Sequence, residues 1–171
     1  KPYAAVSPTQ SCMTRPPAWL LVAVAVAVLL GGGTVAVTSG VFAGDYTWAT
    51  VTVVDADTAT ERATVDARIA DTFNKRVTGL STTDALGPNE GMLFVHTSEG
   101  RHGYVMRDMA FPLDIVFVDA DGEITTIHHA AVDAEQTFYG TGRYVLELPS
   151  NYTTDNDITV GDQVELPTAY R

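Results

Sequence analysis

Three charged residues stand where charge is costly: Arg107 in YVMRDM, Asp114 in LDIVFV and Glu147 in YVLELP. In an extended strand alternate side chains share a face, so Asp114 lies with Val116 and Val118, and Leu113, Ile115 and Phe117 take the other side. Both sides of that strand read as buried. Glu147 repeats the arrangement, sharing a face with Val145 between Leu146 and Leu148. A carboxylate so placed requires a partner, because an unpaired buried charge is strongly unfavourable. Two chemistries fit. Asp114, Glu147 and Arg107 converge on one polar pocket that binds a small ligand or a partner, or Asp114 and Glu147 act as the acid and base of a hydrolase, as carboxylate pairs do in glycoside cleavage. The structural alternative is that Arg107 or Arg143 pairs with Asp114 or Glu147, or that the carboxylates bind backbone amides at strand ends.

Other reactive groups form no motif. His128 and His129 are adjacent, so in a strand they point to opposite faces and do not share a metal. His96 and His102 flank the turn expected at Ser98-Glu99-Gly100 and are able to approach each other, but zinc sites gather three or four protein ligands. No metal and no cofactor are expected. Ser81 and Ser98 lack a Gly-x-Ser-x-Gly setting, and Gly31 to Gly33 fall in an apolar run rather than a phosphate loop. Met92, Met106 and Met109 read as core filling.

The net charge of -11 argues against a sequence-independent grip on nucleic acid, which needs a basic face. The acid is mainly Asp, and Lys occurs only at Lys1 and Lys75, as in proteins of salt-loving archaea. In molar salt, where the Debye length is about 3 Å, repulsion among such surface carboxylates is largely screened. The single cysteine, Cys12, excludes an intrachain disulfide.

From Trp19 to Val37 the chain is apolar and carries no charge, close to the about 20 residues a membrane helix needs. Residues 1–17 read as a tail, of which 1–12 precede a natural start at Met13 and are expected to be absent from the mature protein. Residues 18–37 read as a membrane segment or signal sequence, 38–45 as a linker and 46–171 as one β-rich domain. Arg15 before the segment places the N-terminus in the cytoplasm and the domain outside. The rival reading is signal cleavage near Ala43, after Val41-Phe42-Ala43. Either way the domain is exported, which makes Asn151-Tyr152-Thr153 a glycosylation candidate at Asn151.

The elements that position these residues are short. Tyr46 to Asp55 and Arg62 to Ile69 predict a hairpin, and Asp71 caps a short helix whose Phe73, Val77 and Leu80 form a stripe against a sheet. Strands are expected at Met92–His96, Gly103–Met109, Asp114–Asp119, Glu123–His129, Tyr144–Leu148 and Gln163–Leu166, with a tight turn at Asp121-Gly122. The sum is a mainly β (α+β) domain: an antiparallel sheet curled into a sandwich or partly open barrel with one or two short helices, preceded by an N-terminal membrane helix.

The order of segments adds to this. Gly79-Leu80, Glu90-Gly91-Met92-Leu93-Phe94-Val95, Met106-Arg107, Phe111-Pro112-Leu113-Asp114-Ile115-Val116-Phe117-Val118-Asp119, Tyr144-Val145-Leu146-Glu147-Leu148-Pro149 and Val160-Gly161-Asp162 resemble the domain of unknown function 192 family, also called uncharacterised protein family 0127. The resemblance implies a compact, mostly β domain, often exported or membrane-tethered, with no established reaction. It also implies that Met106, Arg107, Asp114 and Glu147 hold the family's motif positions and form the ligand-binding set. The chain departs from that pattern where Ser81 and Thr82 replace Met and Arg, His96 replaces an aromatic residue, and Val105 replaces Trp.

Overall fold

A computed structural model describes residues 45–171. The N-terminal tail, the apolar segment, Cys12 and the linker through Gly44 lie outside the described residues, together with the expectations attached to them. No helix among the described residues is long and apolar enough to cross a membrane.

Alternating Val and Thr build the first hairpin. Strands β1 (Thr47–Val54) and β2 (Glu61–Ala70) pair antiparallel with Val51 opposite Val65, and the Asp55 carboxylate accepts from the N–H groups of Asp57 and Thr58 in the turn. The chain then enters α1 (Phe73–Thr78), capped by Thr72 rather than Asp71: the Thr72 hydroxyl accepts from the Lys75 N–H at 3.3 Å. Gly79, with φ of 51°, ends the helix and gives its N–H to the Lys75 carbonyl. The expected apolar stripe breaks up. Leu80 is buried, but Phe73 and Val77 are 72% and 56% exposed. The helix is 6 residues long, under two turns, so it cannot lay positions 73, 77 and 80 along one buried line.

Strand β3 (Glu90–Tyr104) runs parallel to β2, with Ala67 opposite Gly91, so the sheet is not wholly antiparallel. The crossover through α1 returns the chain to the end at which parallel pairing must begin. β3 is also continuous where a turn at Ser98–Gly100 is expected. Val95 pairs with Tyr144 and Gly100 with Gly142, leaving residues 96–99 opposite Arg143 alone, a large bulge rather than a reversal. Strands β4 (Leu113–Val118) and β5 (Ile124–Ala130) form the expected hairpin, with Gly122 at φ 96°. Strand β6 (Phe138–Pro149) leads into α2 (Tyr152–Asp155), then β7 (Gln163–Glu165) and a 3-10 turn, Thr168–Tyr170.

The sheet order is β5-β4-β6-β3-β2-β1-β7, curled into a half-barrel. Its two outer strands approach where Glu123 bridges Gln163, and the Val164 N–H reaches the Gly122 carbonyl at 2.7 Å. One face carries a core that includes Val51, Val65, Ile69, Leu93, Val116, Tyr144, Leu146 and Leu148. The other carries Met92, Phe94, Ile115, Phe117 and Val145, with Leu80, Met106 and Phe138 packed on them. Gly142 lies where β6 meets the Val118 backbone, whose nitrogen would be 3.0 Å from an added Cβ, with its carbonyl oxygen closer still. Gly142→Ala is therefore expected to cost about 1–3 kcal/mol, read as a lower denaturant midpoint.

Candidate functional site

Asp114 is fully buried on the central strand β4 and fully engaged. It accepts from the Asn151 N–H at 3.2 Å, the Thr153 N–H at 2.9 Å and the Thr153 hydroxyl at 2.6 Å, and its Oδ1 lies 2.8 Å from Nδ1 of the exposed His129. These bonds satisfy the first amides of α2 and hold Asn151 in the left-handed region, φ 66°. Of the structural alternatives weighed for the carboxylates, the backbone-amide reading describes Asp114. The Thr153 hydroxyl of Asn151-Tyr152-Thr153 is thereby taken up by Asp114, while Asn151 itself is exposed.

Glu147 stands elsewhere. Across the β4–β6 pair, Asp114 faces Leu148 and Ile115 faces Glu147, and residues directly opposite share a face of the sheet. Asp114 therefore points to the side of Leu146 and Leu148, and Glu147 to the side of Met92 and Val145. The expected convergence of the two carboxylates is corrected by this register. A sheet separates them, so they cannot flank one scissile bond, and a hydrolase built on the pair has no geometry here.

The two further members of the expected set stand apart from Asp114. Met106 is 4% exposed and fills the second core. The Arg107 side chain is 72% exposed, pairs among the described residues only with Asp108 at 3.8 Å, and is no partner of Asp114. It does line the same groove as Glu147.

That groove, of about 470 Å³, lies between α1, the outer part of β3 and the loop that follows it. Phe73, Val77, Leu80, Phe94, Val105 and Met109 supply apolar walls, and Arg76, Ser81, His96, His102, Tyr104, Arg107 and Glu147 supply polar groups. Glu147 is 7% exposed and has no hydrogen-bond or ion-pair partner among the described residues. Burial pushes its carboxyl up to about 8, so the neutral acid persists at neutral pH. Tyr104 is also raised, first by burial and then by the Glu147 charge. The bulge brings His96 and His102 into a stack 3.6 Å apart, with His96 Nε2 3.0 Å from the Tyr104 hydroxyl. Burial, then His102, then Arg76 lower His96 to about 4. Arg76 Nη1 donates to the carbonyls of Asp71 and Val95, both at 2.9 Å.

No three His, Cys, Asp or Glu among the described residues are grouped to hold a metal ion. His128 and His129 diverge as their strand requires, His128 to the Tyr139 carbonyl and His129 to Asp114. Sequence reasoning missed Phe73, Arg76, Val77 and Tyr104 as groove residues. The available signal was an i, i+4 apolar pair on a helix too short to bury it.

Fold and groove together define a small β half-barrel with a lateral groove over the buried Glu147 carboxyl. The chain belongs to the DUF192 family, described as an uncharacterized ACR, whose model matches residues 53–166. No curated protein matches it. Among solved structures it is similar to a Sinorhizobium meliloti 1021 protein provisionally named a transcription regulator, with TM-score 0.67 and 26% identity over 71% of this chain and 95% of that one. It is also similar to a protein of unknown function from Novosphingobium aromaticivorans DSM 12444, with TM-score 0.65 and 27% identity over 79% of this chain and 100% of that one. Ser81, His96 and Val105, where the resemblance implies other residue types, line the groove.

Proposed function

We propose that this chain is a membrane-tethered, extracytoplasmic domain that binds a small ligand in the groove above Glu147. The observation that carries the binding reading is a buried carboxyl, without a partner among the described residues, at a groove flanked by exposed Phe73, Val77 and Val105. Concave apolar walls with a few polar groups are the usual form of a small-molecule site. Tethering rests on the charge-free run Trp19 to Val37 with Arg15 before it, and the salt-adapted reading rests on the Asp-rich composition. A regulator of transcription gripping nucleic acid is disfavoured by the net charge of -11.

The test is a thermal-shift screen of the full chain in molar salt, run beside Val77→Trp, which fills the groove from its exposed rim. Ligands are expected to raise the melting temperature of the wild type and not of the variant. Val77→Trp alone should change stability by no more than about 0.5 kcal/mol, as at other exposed positions. A screen without hits, or hits that survive the substitution, would sink the groove as the binding site.

A further inference from the structure

We infer that the groove takes an organic ammonium ion, its amine seated against Glu147 and its apolar body against Phe73, Val77 and Val105. The inference rests on the groove being a binding site and adds the chemistry of the occupant. Glu147 is more than nine-tenths buried, lines the groove and lacks a protein partner among the described residues. Once ionised, Glu147 is an acceptor only, so the complement of its charged form is a donor, and a charged donor gives the stronger bond. A metal ion is the poorer complement, because no second or third ligand of the His, Cys, Asp or Glu type is grouped with it among the described residues. Phe94 and Tyr104 line the groove, and aromatic rings favour a cation with organic substituents.

The protein's own cations do not occupy this role. Arg76 is held by two backbone carbonyls, and Arg107 is largely exposed beside Asp108. Neither offsets the effect of burial on Glu147, whose proton affinity is raised by burial alone. The titratable and charged groups that share the groove with it are Tyr104, His96 and His102 from β3, Arg76 from α1 and Arg107 from the following loop. Its cross-strand neighbours Met92 and Ile115 carry no charge. An arriving ammonium ion forms its ion pair with the carboxylate, so the carboxyl proton passes to the buffer on binding.

The experiment uses the full chain and three probes of similar size: 2-phenylethylamine, phenylacetate and phenylacetamide. Binding is followed at pH 6, 7 and 8 by NMR of the Val77 and Met109 methyl groups. The amine is expected to bind best, its affinity rising by up to about tenfold per pH unit below pH 8. Glu147→Gln, which preserves shape, should weaken it at least tenfold at pH 8, and His102→Gln should leave the pH slope in place. Tighter binding of phenylacetate or phenylacetamide would overturn the ammonium inference and leave the groove as a binding site. So would amine binding that Glu147→Gln does not weaken. If none of the probes moves either methyl group, the ammonium inference fails, and silence in the ligand screen as well removes the groove reading.

Discussion

Asp114→Ala is expected to cost about 3–5 kcal/mol of folding stability, the range for removing one side of a buried polar cluster. The loss has three parts. The Thr153 hydroxyl and two backbone N–H groups lose their acceptor, α2 loses the group that orders its first turn, and a void opens between Val116 and Leu148. Asp114→Asn should fall between the two, because an amide keeps one acceptor oxygen but turns donors toward donors. Denaturant midpoints in molar salt measure both. Since Asp114 faces away from the groove, ligand affinity in the folded fraction should be unchanged. A variant as stable as wild type would mean that the α2 turn is held by something other than this carboxylate.

Glu147→Gln should act in the opposite direction and depend on pH. In the folded chain the Glu147 carboxyl keeps its proton up to about 8, against an ordinary value of 4.5. Between those values the folded state binds more protons than the unfolded state, so stability falls as pH rises. The favourable contribution is complete below pH 4.5 and gone above pH 8. At about 1.4 kcal/mol per pH unit, the full span is on the order of 5 kcal/mol. His96 has the opposite sign. Its value is lowered from 6.5 to about 4, so its contribution improves as pH rises through that interval. The two oppose each other below about pH 6.5, and Glu147 is left to act above it. Glu147→Gln should therefore flatten the decline between pH 6.5 and 8 and exceed wild type in stability at pH 8.5. Parallel curves for the two proteins across that range would show that the carboxyl is already ionised or partnered.

What the sequence made legible was parity, and what it concealed was register. Alternation in LDIVFV and YVLELP correctly placed Asp114 and Glu147 in strands buried on both sides. Whether the two residues share a side depends on which residue of β6 lies opposite Asp114, and a single step of register decides it. Nothing local to either strand encodes that step. The hairpin turn at Asp121-Gly122 was readable because glycine at φ 96° is a local requirement. The bulge at residues 96–99 was not, since Ser98-Glu99-Gly100 has turn chemistry and only pairing with β6 keeps the strand running through it. The groove was concealed for the same reason: Phe73 and Val77 look like core residues until the brevity of α1 leaves them outside.

The pairing of β1 with β7 has a temporal consequence. On its outer side Val53 of β1 pairs with Val164 of β7, 111 positions later in the chain. Such distant pairing requires closure of a long loop before any contact rewards it, which slows folding. During synthesis β1 emerges early, and Thr52 to Val54 on its outer edge stay unpaired until β7 arrives. For that interval the chain presents a Val- and Thr-rich strand edge of the kind that recruits other chains. A nascent chain stopped just before Gln163 should thus be more protease-sensitive and more prone to self-association than one released at Arg171.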